Sequence, residues 1–432
     1  MGQILSQPVT DKESHQGQNA KYAFGLSSMQ GWRINMEDAH TTILNLNDDL
    51  DTDNDEDNEK VGASTTSHSD DSGVAFFGVY DGHGGEKIAK FTGETLYKIV
   101  KKQPEFQKGN YGQALKDAFL AADEAILKDE VLKNDQSGCT ATTVIISDDK
   151  IICANAGDSR TVLSVKGNSK ALSYDHKPNN EGEHARICAA GGFVDIGRVN
   201  GNLALSRAIG DFDFKKSSDL PPEEQIVTAF PDVIEHQITN DDEFVVLACD
   251  GIWDCLTSQQ VVEVVRRGIH DGLTLTEISE GIIDICLAPT SHGSGIGCDN
   301  MSIVIVALLH GKTLEEWYQY VKDNGGPVSE SYYEVAKSIY DDYEREAGST
   351  QNLTSQDEEA ENEQLKTSFS IQQLLEHNVL TSQNGVFYLD SANLLNTLGS
   401  QAKKEDDNEE PKHTITELEE DEEDEEQEES KK

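Results

Sequence analysis

The chain has 432 residues, of which 36% are hydrophobic, so it can bury at least one large core. Its formal net charge of −46, from 81 acidic against 35 basic residues, disfavours a nucleic-acid binder, because phosphate binding needs clustered lysine and arginine side chains. Seven cysteines without close metal-binding pairs fit a reduced intracellular compartment, and we expect neither a membrane span nor a secretory signal, because no apolar run is long enough.

The first twenty residues carry one candidate modification site. Met-Gly-Gln-Ile-Leu-Ser at 1–6 matches the acceptor pattern for N-myristoylation at Gly2 once Met1 is removed. A chance match over six residues is the alternative, and a single acyl chain gives only reversible membrane attachment. We assign residues 1–20 to an N-terminal segment that precedes the first predicted strand at 22–29.

A polar run at 45–72 interrupts the pattern of elements. It consists mostly of Asp, Asn, Ser and Thr and predicts a disordered surface insertion, because it offers almost nothing to a core. The aspartates within 51–55 resemble the start of a calcium loop. Glu56 replaces the glycine that such a loop requires, and Gly62 replaces its bidentate glutamate, so the insertion is the favoured interpretation.

Helical and strand patterns alternate through the middle of the chain. Apolar residues at helical spacing predict helices at 86–101, 111–133, 181–190, 258–268 and 275–287. Apolar, mostly β-branched runs predict strands at 74–79, 140–146, 151–155, 161–165, 244–248 and 303–309. An irregular polar segment at 193–226 predicts a mobile flap. Strands at both ends of this span favour a single domain over residues 21–310.

Beyond this domain the sequence predicts a helical extension at 311–347 and a disordered tail at 348–432. A leucine-bearing patch at 369–398 is either a short docking helix or an adhesive part of a linker. Residues 405–432 hold 16 acids and three lysines. We favour a solvated segment that aids solubility over a docking arm for basic partners such as histones or basic kinases.

Acidic side chains lie at the ends of several predicted strands. A single aspartate there is usually a turn or helix-cap residue. Repeated placement concentrates like charge, which is costly unless a cation neutralises it, and oxygen ligands favour magnesium or manganese over zinc. Arg33 stands close in sequence to two of these acids, and its planar fork suits a phosphate, although a lone arginine more commonly forms a surface ion pair. The acids are Glu37, Asp38, Asp81, Asp158, Asp250, Asp254 and Asp299.

Seven motifs in order carry a resemblance to a known family. They are GWRINMED at 31–38, DGHGG at 81–85, GCTA at 138–141, NAGDSR at 155–160, LSRAIGD at 205–211, CDGIWD at 249–254 and GCDNM at 297–301. Together they resemble the metal-dependent type 2C protein Ser/Thr phosphatases over roughly residues 20–310. The first six residues also resemble those of fungal members.

The resemblance implies an α+β fold, a four-layer α-β-β-α sandwich with two central antiparallel β-sheets and a dinuclear metal cleft. It implies hydrolysis of phosphoserine and phosphothreonine by attack of a water that bridges two Mg²⁺ or Mn²⁺ ions. The ions and the arginine would stabilise charge on the phosphoryl oxygens, and no covalent phosphoenzyme would form.

Residue roles are implied by the matching motif positions. Arg33 matches the phosphate clamp. His83 matches the general acid that protonates the leaving oxygen; the alternative is that it only orients a metal-bound water. The implied metal ligands are Asp81 between two ions, the Gly82 carbonyl, Asp250 and Asp299 on one ion, Glu37 and, less directly, Asp38 on the second, and Asp158 and Asp254 on a possible third.

The resemblance also implies partners. Members of this architecture commonly dephosphorylate activated protein kinases, including stress MAP kinases and cell-cycle or checkpoint kinases, in the cytoplasm and nucleus. They usually act as monomers without regulatory subunits. The rival hypothesis is a non-enzymatic protein that binds phosphoproteins through the same core. A degenerate core should have lost metal-binding acids, and this chain retains them, so the enzyme is favoured.

Overall fold

The computed structural model describes residues 4–47, 73–291 and 295–331, the single positions 334, 335, 337 and 339, and the backbone of 380–383 and 386–389. The chain divides into two compact units, Met1–Gly348 and Ser349–Lys432. None of the described helices is long and apolar enough to cross a membrane.

Two antiparallel sheets form the centre of the first unit. The larger sheet contains, in spatial order, β1 (Ile4–Gln18), β2 (Tyr22–Arg33), β16 (Met301–Leu308), β15 (Asp242–Ala248), β9 (Arg160–Val165) and β10 (Asn168–Ala171). The smaller sheet contains β14 (Asp232–Gln237), β8 (Lys150–Ala156), β7 (Ala141–Ile146), β4 (Ala75–Tyr80) and β3 (Ala39–Ile43). A third, three-stranded sheet consists of β13 (Ile209–Gly210), β6 (Gly138–Cys139) and β5 (Gly82–His83).

Apolar side chains between the two large sheets hold them together. Phe77 and Val144 from the smaller sheet pack in one buried cluster with Leu163, Val245 and Val306 from the larger one. The central strands β4, β7 and β15 are buried along their whole length, which is why they read as continuous apolar runs in the sequence. Each fully buried Val, Leu or Phe side chain stabilises the fold by roughly 1.5–3 kcal/mol.

Helices cover the outer faces of both sheets. The smaller sheet packs against α1 (Lys87–Lys102), α2 (Pro104–Gln107) and α3 (Tyr111–Lys128). The larger sheet packs against α5 (Asp250–Trp253), α6 (Ser258–Asp271), α7 (Leu275–Cys286) and α8 (Leu314–Asp323). These two helical layers and the two sheets form the α-β-β-α sandwich, so the expected fold class is confirmed.

The segment predicted as a flap contains only short elements within 193–226. They are β11 (Val194–Asp195), β12 (Arg198–Val199), β13 and the 3₁₀ turns Phe212–Phe214 and Pro222–Glu224. The preceding helix α4 (Glu181–Ala189) packs Ile187 against Val199, Leu205 and Val227 in a small separate core. This segment therefore has a core of its own, and its mobility stays a prediction.

A long connection joins the adjacent strands β3 and β4. Ile43 pairs with Phe76, and the Leu46 amide donates a hydrogen bond of 2.8 Å to the Val74 carbonyl. The two ends of the polar run are thus held side by side. Its residues 48–72, including the calcium-loop resemblance at 51–55, lie outside the described residues.

The structure changes the sequence interpretation near both ends of the chain. The strand predicted at 22–29 is present within β2, but it is not the first strand, because Ile4–Gln18 forms β1 and pairs with it. Of the two alternatives for 369–398, the docking helix is contradicted at the described residues, where β17 (Leu380–Gln383) and β18 (Val386–Leu389) pair as an antiparallel hairpin; the predicted disorder of the tail is contradicted at the same residues. The tail from 390 onward lies outside the described residues.

Candidate active site and metal centre

The larger sheet brings three of the predicted acids to one edge. Its strand β15 ends at Ala248, which pairs with the first residue of β9 on one side and with the start of β16 on the other. Asp250 follows Ala248 after one residue, at the start of α5, Asp158 precedes β9, and Asp299 precedes β16. Antiparallel register therefore places all three carboxylates at the same end of the sandwich.

The smaller sheet contributes the other acids at the same end. Tyr80, the last residue of β4, pairs with Ala39, the first residue of β3, so Asp81 and Asp38 leave the sheet side by side. A Cβ atom at Gly82 would lie 2.1 Å from the Glu37 carbonyl oxygen. Only glycine fits this close approach, which explains its place in the motif.

Burial and mutual repulsion raise the pKa values of these carboxyl groups. Burial and then the charges of neighbouring carboxylates raise the pKa of Asp81 well above its usual range. Asp250 is affected in the same way, first by burial and then by Asp158 and Asp299. The pKa of Asp38 rises to about 6, mainly because of burial. Without a cation the cluster cannot carry its full charge at neutral pH at low cost.

The donor set fits hard divalent cations. Asp38 Oδ1 is buried and has no hydrogen-bond partner among the described residues, while its other oxygen accepts a 2.7 Å bond from the Ser302 hydroxyl. Asp38, Asp81 and Cys249 present potential ligand atoms that lie within 4.8 Å of one another. Burial and then the nearby carboxylates raise the pKa of the Cys249 thiol well above its usual range, which disfavours a thiolate ligand. Carboxylate ligands of this kind suit Mg²⁺ or Mn²⁺.

Arg33 lies at the mouth of the acidic cluster. Its guanidinium forms an ion pair with the Asp299 carboxylate. The two side chains are 38% and 30% exposed, respectively, so the guanidinium remains accessible from the cleft. The arginine is thus oriented by one of the acids, rather than by a surface partner elsewhere.

Asn300 fixes the loop that carries Arg33 and Glu37, a role that the sequence did not reveal. Its side-chain amide donates to the carbonyls of Gln30 at 2.8 Å and Asn35 at 3.0 Å. Its Oδ1 accepts from the Glu37 amide at 2.9 Å. One buried side chain therefore joins the loop after β2 to the segment before β16. Its position next to Asp299 was the only signal in the sequence.

His83 is held by Asp211, which the sequence analysis placed in a motif without a role. His83 Nε2 and Asp211 Oδ2 are 2.6 Å apart, and β6 lies between the strands β5 and β13 that bring them together. Burial alone would lower the pKa of His83, but the hydrogen bond to Asp211 and its charge outweigh burial and raise it. The imidazole is therefore kept protonated to higher pH than usual.

The acids assigned to a possible third ion already have a cationic neighbour. Lys177 Nζ lies 2.5 Å from Asp158 Oδ2. Burial raises the pKa of Asp254, and the nearby Lys177 only partly offsets this effect. Lys177 was not singled out in the sequence, because it lies outside every motif.

The structure brings the remaining predicted residues into one site. The predicted catalytic and metal-binding residues all lie at or beside the same end of the sandwich. They are Arg33, Glu37, Asp38, Asp81, Gly82, His83, Asp158, Asp250, Asp254 and Asp299. Gly2 lies outside the described residues.

A cavity of about 580 Å³ adjoins this site. Its lining includes the His83–Asp211 pair together with Phe214 and the lysines Lys133 and Lys216. The lining also contains Asp135 and Asp213, and Lys133 and Lys216 pair with Glu130 and Asp213 at 2.6 Å each, so the lysines do not outnumber the aspartates in this cavity.

Known proteins resemble this chain in both sequence and fold. The Protein phosphatase 2C family model matches residues 22–295. Protein phosphatase 2C homolog 2 of Schizosaccharomyces pombe is 56% identical over 338 residues, which cover 77% of this chain and 86% of the relative. Protein phosphatase 2C homolog 2 of Saccharomyces cerevisiae is 51% identical over 349 residues, or 80% of this chain and 71% of the relative.

A solved phosphatase structure from Toxoplasma gondii superposes with a TM-score of 0.56 at 26% identity, and covers 69% of this chain and 96% of that one. The span that the family model matches, residues 22–295, contains all the acids described above except Asp299, which lies just beyond its end. With its clustered carboxylates and its fungal relatives, the chain belongs to the protein phosphatase 2C family, as a fungal-type, metal-dependent protein Ser/Thr phosphatase.

Proposed function

We propose that this phosphatase hydrolyses phosphoserine and phosphothreonine in phosphoproteins with two Mg²⁺ or Mn²⁺ ions. The observation that carries the proposal is the buried cluster around Asp81, whose neighbours raise its pKa, together with the unpartnered oxygen of Asp38. In the absence of cations, the repulsion among the buried carboxylates and the unpartnered oxygen both destabilise the folded state. Bound cations would neutralise the repulsion and give the oxygen a ligand.

The matching motif positions of the family support a division of the ligands between two ions. Asp81 would serve both ions, the Gly82 carbonyl, Asp250 and Asp299 would hold one of them, and Glu37 and Asp38 would hold the other. Bound there, divalent ions would acidify a water molecule for attack on phosphorus and neutralise charge on the phosphoryl oxygens. A third ion at Asp158 and Asp254 would have to share these acids with Lys177.

The chain's own side chains orient the substrate and move the proton. Arg33, held by Asp299, binds the phosphoryl oxygens from the mouth of the cleft. As the ester P–O bond breaks, His83 donates its proton to the leaving serine or threonine oxygen. Asp211 keeps the imidazole protonated and fixes its orientation. The alternative role for His83, orienting a bound water, predicts no dependence of its effect on the leaving group.

The substrates that we propose are activated protein kinases, including stress MAP kinases and cell-cycle or checkpoint kinases. The family resemblance supports this substrate class, whereas the cavity beside His83 adds no support, because its lysines Lys133 and Lys216 already pair with Glu130 and Asp213. We further propose that the enzyme acts as a monomer without regulatory subunits, in cytoplasm and nucleus. Myristoylation at Gly2 would add reversible membrane attachment.

Hydrolysis of a phosphothreonine peptide tests the proposed function. The purified full chain is assayed with Mn²⁺ or Mg²⁺ and with a chelator, beside Asp81→Asn and Asp250→Asn. Asp271→Asn is the matched control, because Asp271 is an exposed aspartate at the end of α6 that pairs with Arg267 on the same helix. We expect metal-dependent turnover that the chelator and either cleft substitution abolish, and that the control retains.

The rival phosphoprotein-binding hypothesis makes the opposite forecast. Under that hypothesis, wild type would show no turnover on several phosphopeptides with either ion while still binding them. Turnover that survives chelation would refute the metal mechanism but leave the phosphatase activity intact.

A further inference from the structure

A second cluster of metal-binding side chains lies away from the acidic cleft, where the outer strands of the two sheets meet. Strand β1 is the last strand of the larger sheet, and β3 is the last strand of the smaller one. Glu13 and His15 belong to β1, and His40 belongs to β3. Each of the three offers one potential ligand atom, and these atoms lie within 4.8 Å of one another.

Strand register directs both histidines into the space between the sheets. His15 pairs with Leu26, and His40 pairs with Val79. Both partners belong to the apolar cluster between the sheets, and directly opposed residues share a face of a sheet. The two imidazoles thus extend this inter-sheet layer to its open edge, where their rings stand 5.9 Å apart at an angle of 47°.

The intervening residues of β1 point the other way, as strand alternation requires. Lys12 forms an ion pair of 2.6 Å with Asp284, and Ser14 donates to Glu280 at 2.7 Å, both on α7. The outer face of β1 is therefore fixed by polar contacts to a helix. The inner face carries Glu13 and His15 towards β3.

The spacing within the cluster suits a tetrahedral ion. His15 Nε2 and Glu13 Oε1 are 3.1 Å apart. With metal–ligand bonds of about 2.0–2.1 Å, neighbouring ligand atoms of a tetrahedral site lie roughly 3.3 Å apart. His40 forms no side-chain hydrogen bond to any residue that the structure describes, so its ring nitrogens are not committed elsewhere. A modest rotation of His40 or of the exposed Glu13 would close the site.

We propose that Glu13, His15 and His40 bind a divalent ion of the zinc class, with water as the fourth ligand. Two imidazoles and one carboxylate form a borderline donor set, whereas the cleft offers mainly carboxylates and no imidazole among its proposed ligands, so the two sites favour different ions. Glu13 is 69% and His15 35% exposed, which leaves the site open to solvent. The ion would tie the N-terminal strand to the strand that directly follows Asp38.

Zinc binding in the presence of excess Mg²⁺ tests this site. The full chain is stripped with a chelator, dialysed against millimolar Mg²⁺ to load the cleft, and titrated with Zn²⁺. We expect His15→Gln to lose one bound equivalent, with an affinity at least about 100-fold weaker for that equivalent. Glu13→Gln should weaken the same equivalent. Zn²⁺ should raise the unfolding temperature of wild type, and not that of His15→Gln, because the ion binds only the folded sheets.

The matched control is His184→Gln, which removes an imidazole beside the exposed thiol of Cys188, 3.8 Å away. This pair is another place where a soft ion could bind. The control should retain the equivalent that His15→Gln loses. The proposal is overturned if His15→Gln retains that zinc equivalent, or if His184→Gln loses it instead. It is also overturned if wild type binds no zinc above the Mg²⁺ background. If His15→Gln does not fold, Glu13→Gln decides alone, because Glu13 is largely exposed.

Discussion

The charge of Asp81 destabilises the folded protein when no metal is bound, and a neutral side chain at this position should remove that effect. Burial and its acidic neighbours raise the pKa of Asp81 above the usual 3.8, so the folded state binds this proton more tightly than the unfolded chain. Stability is then lost as the pH rises from about 4 through the raised pKa. We expect Asp81→Asn to abolish turnover and yet to raise the unfolding temperature of chelator-treated protein at about pH 8.

Calorimetry with a chelator at about pH 5 and pH 8 measures this effect, and the gain should be smaller at the lower pH, where the wild-type carboxyl is largely protonated. Saturating Mg²⁺ should reverse the order of stability, because the wild type then binds cations that the variant cannot hold. A variant less stable than wild type at pH 8 in chelator would contradict the account.

Asp211 sets the pH range over which His83 carries a proton. Its hydrogen bond and charge raise the pKa of His83 above the usual 6.5. A general acid works only while protonated, so activity falls as the pH rises through this pKa. In Asp211→Asn the pKa of His83 drops, and we expect the alkaline fall in kcat/KM to begin at lower pH, with a roughly 10-fold or greater loss at about pH 8.

A pH series on a phosphothreonine peptide, compared with an aryl phosphate whose leaving group needs no proton, measures the shift. Asp219→Asn, an exposed aspartate further along the same segment and outside the lining of the cavity, is the control. Equal losses on both substrates would show that Asp211 is only structural.

At the residue scale, sequence position predicted the acids and missed their partners. Asp81 and Asp250 could be predicted because each lies within two residues of the end of an apolar strand, and strand ends in a sandwich meet at common edges. Asp211 contacts His83 across 128 residues of chain. Such a pairing depends on the small third sheet, whose two-residue strands have no periodic pattern to detect.

At the element scale, the reliability of the predictions follows burial. The predicted strand at 244–248 corresponds to Asp242–Ala248, and the predicted helix at 275–287 to Leu275–Cys286, because both are set by apolar residues with one clear period. Strand β1 was missed because its outer face carries polar residues that bind α7, such as Lys12 and Ser14. Polar packing leaves no hydrophobic signal.

Helix α4 is joined to the flap through one buried carboxylate. Glu183 is 5% exposed and accepts hydrogen bonds from Arg207 at 2.7 Å, Arg186 at 2.8 Å and Ser206 at 2.6 Å. Burial alone would raise its pKa, but the arginines outweigh burial and lower it to about 2. The stabilisation is therefore complete above about pH 4.5 and is lost as the pH falls towards 2.

We expect Glu183→Gln to destabilise the protein by about 3–5 kcal/mol at neutral pH, because two arginines lose their buried counter-charge. Urea unfolding at neutral pH and near pH 3.5 measures the change, which should shrink at the lower pH. Glu181→Gln, an exposed glutamate on the same helix, should change little. Equal effects of the two substitutions would rule out the buried network as the cause.

At the scale of the whole molecule, the catalytic unit and the acidic C-terminal part can be separated. Residues 349–432 hold 23 acids and six lysines, so their removal leaves a less acidic chain. We expect the chain 1–348 to keep its kcat, because every described site residue lies within it. Its KM for a basic phosphopeptide should rise at low salt and match that of the full chain at high salt, where charges are screened.

Steady-state assays across ionic strength on basic and neutral peptides measure this difference, with the neutral peptide as control. A fall in kcat on truncation would show that the second unit contributes to catalysis. A salt-independent rise in KM would point to specific docking rather than to long-range attraction.

The hydrogen bond between Leu46 and Val74 has a use in protein engineering. It holds the two ends of the 48–72 connection side by side on the paired strands β3 and β4. The distance between these ends is therefore fixed, whereas the number of residues that connect them is not. Because the entropy of closing a loop grows only slowly with its length, this position should accept a foreign cassette. A fluorescent reporter placed there would join the end of the β3–β4 pair opposite Asp38 and Asp81, so the label should leave cation binding unchanged.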